Sequence, residues 1–224
     1  MLRAYFIGGN HMRVKKMVLI AMLAALSYIA VLAVRIPVVL FLSYEPKDVV
    51  ITIGGFLLGP MASFVTSLVV ALIEMFSISE TGIIGCVMNF LSSCSFACIA
   101  DWFYKKRHNL NGAVLGLAAG SVTMIAIMLL WNYLITPLYM TGTTRSDIAA
   151  MLIPVFLPFN ALKAGFNSAL VLGLYKPLTG ALRRTRLLPE SKAPKGDPKP
   201  GIYLLALALL ATCVVLLLVL KGIL

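Results

Sequence analysis

Asn160, Lys163 and Asn167 lie inside one long apolar stretch, MLIPVFLPFNALKAGFNSALVLGLYKPLTGAL, from Met151 to Leu182. The stretch is long enough to cross a bilayer. A cation near the middle of a spanning helix costs about 3 kcal/mol on insertion scales, so it faces a cavity or a partner rather than lipid. Spacings of three and then four residues put all three side chains on one helix face. Pro154 and Pro158 precede them, so the helix begins near Pro158 or is kinked there. This stripe offers amide donors and acceptors plus one ammonium, which makes it half of a ligand site.

Three stretches, 40–48, 131–139 and 156–163, each set polar groups beside aromatic ones. Brought together near one membrane face, they make a pocket for a flat, largely apolar molecule with amide-like edges. Phe41, Tyr44, Trp131, Tyr133, Phe156 and Phe159 supply ring surfaces; Asn132, Asn160 and Lys163 supply the polar contacts. Asn89 and Asn167 read equally well as glue between helices. Trp131, Tyr133 and Tyr139 also fit an ordinary interfacial belt. Lys163 is the one cation placed deep in an apolar stretch. The chain shows no nucleophile–base pair, no phosphate loop and no clustered metal ligands, which argues against an enzyme. Glu74, Glu80, Asp48 and Asp101 sit at the ends of apolar runs and form no proton-coupling chain. Cys86, Cys94, Cys98 and Cys213 all lie in apolar segments, so they read as buried thiols rather than a disulfide framework.

These groups must be held by membrane helices. The 224 residues are 61% hydrophobic and 12% charged, the signature of a polytopic membrane protein. The net charge of +11 does not point to nucleic acid, because the Lys and Arg residues gather at loops and helix ends. The first spanning helix is Met17 to Val34, after a basic flank at Arg13, Lys15 and Lys16. An ordered loop punctuated by Pro37 and Pro46 follows. The second helix, about 47–59, is too short to cross unaided and relies on tilt, thinning or burial by its neighbours. Met61 to Met75, Gly82 to Tyr104 and Asn111 to Pro137 are the next three; Gly112, Gly116 and Gly120 form a stripe for close helix contact. The Asn160–Lys163 stretch is the sixth. A Pro- and Lys-rich cytoplasmic linker, 187–201, leads to an apolar seventh helix over Ile202 to Leu220, expected to face lipid. Basic clusters at 13–16, 105–107 and 183–186 alternate with mixed or acidic loops. They place the N-terminus and both ends of the six-helix core in the cytoplasm.

Four segments carry a resemblance to a known family: LSYEPKDVVITIGGFLLGP (42–60), MNFLSS (88–93), LLWNYLITPLYM (129–140) and LPFNALKAGFNSAL with LYKPL (157–178). In this order they resemble the riboflavin-specific S component of energy-coupling factor (ECF) transporters, over residues 12–190. The resemblance implies a bacterial cell-membrane protein that binds riboflavin from outside. It then works with a transmembrane T component and two ATPases, and topples to release the vitamin. It puts Asn132, Asn160 and Lys163 on the polar edge of the isoalloxazine. The loop of Phe41, Leu42, Ser43 and Tyr44 covers the ring. Ala21 and Ala25 match the small-residue surface that docks the T component, although their spacing alone also fits internal packing. Riboflavin is cargo here, and no cofactor is expected. Two features depart from the family pattern: the extra helix and residues 1–11.

The expected architecture is therefore all-α. It has an N-terminal extension (1–12), a six-helix substrate-binding domain (13–186), the linker (187–201) and an additional C-terminal transmembrane helix (202–224). The rival readings are an S component for another vitamin or a flavin nucleotide, an intramembrane enzyme, and a self-sufficient secondary transporter. Purified chain alone in riboflavin-loaded medium separates the last of these. Vesicles should bind vitamin without concentrating it. Accumulation without an ATPase, abolished by a protonophore, would overturn the assignment and make Glu74 and Lys163 the coupling candidates.

Overall fold

The computed structural model describes residues 2–79, 81–140, 142–184 and 200–220. Eight α-helices and one short hairpin are present among these residues. The first helix, α1 (Leu2–Ala33), already begins in the stretch expected as an N-terminal extension, because no proline interrupts residues 2–16. Strands β1 (Ile36–Val39) and β2 (Leu42–Tyr44) pair antiparallel across the loop that the sequence punctuates with prolines. Pro37 lies in β1 beside a bulge, where a missing N–H is tolerated. Leu40 turns the hairpin with φ 52°, an unfavourable conformation for a branched side chain.

Helix α2 (Lys47–Leu58) has 12 residues, about 18 Å of rise, well short of a ~30 Å hydrocarbon core. Burial resolves the mismatch: nine of its residues, from Lys47 to Phe56, are enclosed by α1, α3, α4 and α7. At Gly59, φ 98° lets the chain reverse directly into α3 (Pro60–Ser77), with Pro60 at its first position. Helix α4 (Gly82–Arg107) stops at His108, which adopts a left-handed cap. Asn109 then caps α5 (Leu110–Tyr139), its side chain accepting the Gly112 N–H at 2.7 Å. Thr144 and Asp147 form a reciprocal capping box on the short α6 (Arg145–Met151).

Leu152–Phe156 forms a π-helical turn before α7 (Leu157–Arg184). Pro154 lies in this turn and Pro158 at the start of α7, so the expected break falls one turn earlier than Pro158. The linker expected over 187–201 lies almost wholly outside the described residues, and Glu80 lies outside them too. The last helix, α8 (Pro200–Leu220), lines up along α7. Six described segments are long and apolar enough to cross a membrane: 14–33, 60–77, 82–107, 110–138, 145–174 and 203–220.

One core gathers Val49, Phe56, Phe96, Ala100, Leu117 and Met124 between α2, α4 and α5. A second cluster joins the hairpin residues Val38, Leu42 and Tyr44 to Ile148, Phe156 and Phe159. Close approach of α4 and α5 rests on the glycine stripe. A Cβ at Gly116 would press on the Ala100 carbonyl, and one at Gly120 on the Phe96 carbonyl. Neither carbonyl can yield, because both belong to helix backbone. Gly116→Leu should therefore separate the two helices and destabilise the fold by about 1–3 kcal/mol or more. A thermal melt of the purified protein in detergent, followed by size-exclusion chromatography, reads this. A melt like that of the natural chain would show that the contact is not required.

Candidate ligand-binding site

The hairpin, the end of α3, the start of α4, α5 and α7 enclose a cleft of about 830 Å³, the open space at its mouth included. Phe41, Leu42, Ser43, Asn132, Asn160 and Lys163 all line it, so the structure brings six of the seven expected ligand contacts to one place. The other wall carries Arg35, Glu45, Glu74, Thr81, Asn89 and Ser92.

Asn132 is 2% exposed and lies within the bundle rather than at the interface suggested by its aromatic neighbours. Its Nδ2 donates to the Met128 carbonyl at 2.8 Å and its Oδ1 accepts from Thr136 at 3.0 Å. Asn160 Nδ2 donates to the Phe156 carbonyl at 2.8 Å. That carbonyl belongs to the π-helical turn, where the proline-disrupted ladder leaves acceptors for side chains. Each amide is thus oriented by a bond to its own helix one turn back and keeps further bonding capacity.

Lys163 is held by α2 and α4. Its Nζ donates to Ser92 Oγ at 3.1 Å and lies 3.4 Å from Asp48 Oδ2. Asp48 is fully buried; it also accepts from Ser93 Oγ and, at 3.1 Å, from Asn167 Nδ2. Asn167 in turn accepts from the Tyr44 hydroxyl at 3.2 Å. The polar stripe on α7 therefore divides. Asn160 and Lys163 face the cleft, whereas Asn167 is the interhelical glue that its spacing alone left open.

Tyr44 is the expected site residue that does not line the cleft. A buried phenol needs a partner, and Asn167 together with the Phe166 ring (centroids 5.1 Å apart) draws it to the α7 side. Burial, and then the Asp48 charge, push its ionisation upward, so it remains a neutral donor. Trp131, Tyr133 and Phe156 are also absent from the lining. Phe156 instead backs Phe41 from behind, with centroids 6.4 Å apart, and Tyr133 is exposed on α5. Phe159 does reach the cleft.

Lys163 is not the only buried cation. Lys47 is 1% exposed, and its Nζ lies 2.8 Å from Glu45 Oε2 and 2.7 and 2.6 Å from the two Glu74 oxygens. Asn89 Nδ2 donates to Glu74 Oε2 at 2.8 Å. Arg35 closes the cluster at the rim, with Nε 3.3 Å from Glu45 Oε1. Glu74, read from sequence as lying at a helix end, therefore joins Glu45, Lys47 and Arg35 in a compensated ionic wall. Charged residues at 45, 47 and 48 sit directly before an apolar helix, which signals an interface; their partner Glu74, 27 positions from Lys47, gives no local sign.

Ala21 and Ala25 are exposed on α1, while Ala24, Ser27 and Val31 of the same helix are buried. Packing within the chain therefore does not account for this pair of small residues.

Comparisons with known proteins identify the family of the fold. The family described as "ECF transporter, substrate-specific component" matches residues 15–175. A riboflavin transporter, RibU, of Staphylococcus aureus (strain TCH60) is 27% identical over 184 residues, covering 78% of this chain and 96% of that protein. Another RibU, from Lactococcus lactis subsp. cremoris (strain NZ9000), is 29% identical over 189 residues, covering 72% and 91%. A solved S component of a bacterial ECF transporter superposes with a TM-score of 0.64 at 25% identity, covering 77% of this chain and 99% of its own. A polytopic helical chain whose fold, matched segment and relatives coincide in this way belongs to the substrate-specific components of ECF transporters.

Proposed function

We propose that this chain binds riboflavin as the specificity subunit of an ECF importer. The observation that carries the reading is the convergence of Asn132, Asn160 and Lys163 beside Phe41 and Phe159 in one cleft. An isoalloxazine is flat and apolar at one edge and alternates carbonyl acceptors with an N–H donor at the other. Amides held at fixed angles and one ammonium complement the second edge; the phenylalanine rings complement the faces. Glu45, Glu74 and Thr81 supply acceptors for the hydroxyls of a polyol tail. The names carried by the relatives point to the same vitamin.

The cleft opens at the hairpin end of the bundle. Arg13, Lys15, Lys16 and Lys105 to Arg107 lie toward the other end, which the positive-inside rule assigns to the cytoplasm. The vitamin thus enters from outside a bacterial cell membrane, and the N-terminus is cytoplasmic. The chain carries no phosphate loop of its own, so energy comes from a T component and two ATPases. The exposed Ala21 and Ala25 face is their docking surface, and the chain itself catalyses nothing. A flavin nucleotide is the second reading. Arg35, 42% exposed at the rim, adds a second cation that a phosphate would use.

Titration by flavin fluorescence, with riboflavin and its phosphate as parallel ligands, tests the reading. Lys163→Met should weaken riboflavin roughly ten- to a hundredfold, since a charge-assisted bond is worth about 1.5–3 kcal/mol. It should also lower stability, because Asp48 loses its counter-charge. Pairing it with Asp48→Asn should restore the melt but not the affinity. If the double variant binds normally, Lys163 is a structural ion and not a ligand contact.

Docking has a separate test. Replacing Ala21 and Ala25 together by tryptophan should abolish co-purification with the T component and uptake. Riboflavin titration of the isolated variant should match the natural chain. An intact complex would exclude this face.

A further inference from the structure

Helix α8 lies outside the segment matched by the family, and its own sequence is almost purely apolar. Sequence alone made it a lipid-facing anchor. Its packing is more specific than that. Ala206, Cys213 and Leu220 recur every seven residues and so share one face. Ala206 is buried in the core cluster that α7 also enters with Ala164, Val171 and Leu172. Cys213 sits against Gly165, where a Cβ would run into its sulfur. From Cys213 at Gly165 to Leu217 and Leu220 at the cluster of Phe156 and Phe159, the contacts descend α7 as α8 ascends, so the two helices are antiparallel. The next level reached by α8 is that of Phe156, Phe159 and the hairpin. There Leu217 and Leu220 pack against the cluster of Val38, Leu42, Tyr44 and Phe156. The opposite face, with Leu204, Leu207, Val215 and Val219, is exposed.

Leu42 belongs to that cluster and also lines the cleft. The hairpin therefore has the cleft on one side and the end of α8 on another. A two-stranded hairpin is marginal by itself and takes its stability from what it packs on. This one also turns at a left-handed Leu40, which adds to what its packing must offset. We infer that α8 braces the hairpin over the cleft, and that Leu217 and Leu220 are positioning residues that slow ligand escape. In such a lid, loosening the brace raises the opening frequency, so dissociation speeds up while the contacts to bound ligand stay in place.

The inference rests on riboflavin occupying the cleft, but one of its readouts needs no ligand. The full-length double variant Leu217→Ala/Leu220→Ala is compared with the natural chain and with Leu217→Met/Leu220→Met in lipid nanodiscs. Hydrogen exchange of amides 36–44 in ligand-free protein should accelerate in the alanine variant, with α5 unchanged. Riboflavin dissociation, followed by fluorescence recovery during a chase, should rise about tenfold with an unaltered association rate. The methionine variant should restore both. Natural exchange in the hairpin would overturn the brace, as would faster exchange throughout α4 and α5, which would mean general loosening. If even the natural chain fails to bind riboflavin, the vitamin assignment falls, while hairpin exchange still decides the brace.

Discussion

A buried carboxylate in a membrane protein needs a countercharge and donors, and Asp48 organises this structure by that demand. It sits at the start of α2, fully enclosed. Ser93 of α4 and Asn167 and Lys163 of α7 converge on it. Removing one member would leave a charge stranded in a medium that solvates it poorly, so the set forms together or not at all. Three helices are thereby locked in register at the level of the cleft. The same demand places the Lys163 ammonium within reach of both Ser92 and the cleft, so one group meets the buried carboxylate and lines the cleft. Through Asn167 and Tyr44 the network extends to the hairpin. The hairpin beside the cleft and the helices that line it are tied to one carboxylate.

A second ionic centre works alongside the first. Lys47 neighbours Asp48 in sequence, yet it turns to Glu45 and Glu74. Two opposite charges at the top of a short helix thus recruit two different sets of helices. This explains how α2 tolerates a length that cannot span a bilayer. Its charged end is neutralised inside the protein, and its apolar body is wrapped by its neighbours. Because Glu45 also meets the exposed Arg35, the wall of the cleft runs from fully buried to solvent-facing along one chain of ion pairs.

The rings of the site show how hydrogen-bond demand overrides proximity in sequence. Phe41 and Tyr44 lie three residues apart, but only Phe41 lines the cleft. A phenyl ring can remain at an apolar wall, whereas the Tyr44 hydroxyl must find an acceptor and does so in Asn167. The two asparagines of the site obey the same rule in the other direction. Each uses a backbone carbonyl one turn back on its own helix to fix an amide that lines the cleft.

Much of this was legible in the amino-acid order. Hydrophobic run lengths and glycine and proline punctuation set α2, α3, α4 and α5 to within a turn, because backbone satisfaction in lipid leaves the chain little choice, whereas α1 begins well before the expected Met17. Lys163 stood out because an intramembrane charge needs a partner or a cavity, and Asn160 shared its face by helical period. The partners of these residues were not legible. Asp48 meets Lys163 and Asn167, and Lys47 meets Glu74, across separations that no local pattern encodes. The π-helical turn, the inward placement of Asn132, the departure of Tyr44 from the cleft and the seating of α8 on the hairpin were likewise decided by packing. Local sequence determined which groups had to be satisfied; only the assembled bundle, by bringing distant helices within hydrogen-bond range, determined which groups satisfied them.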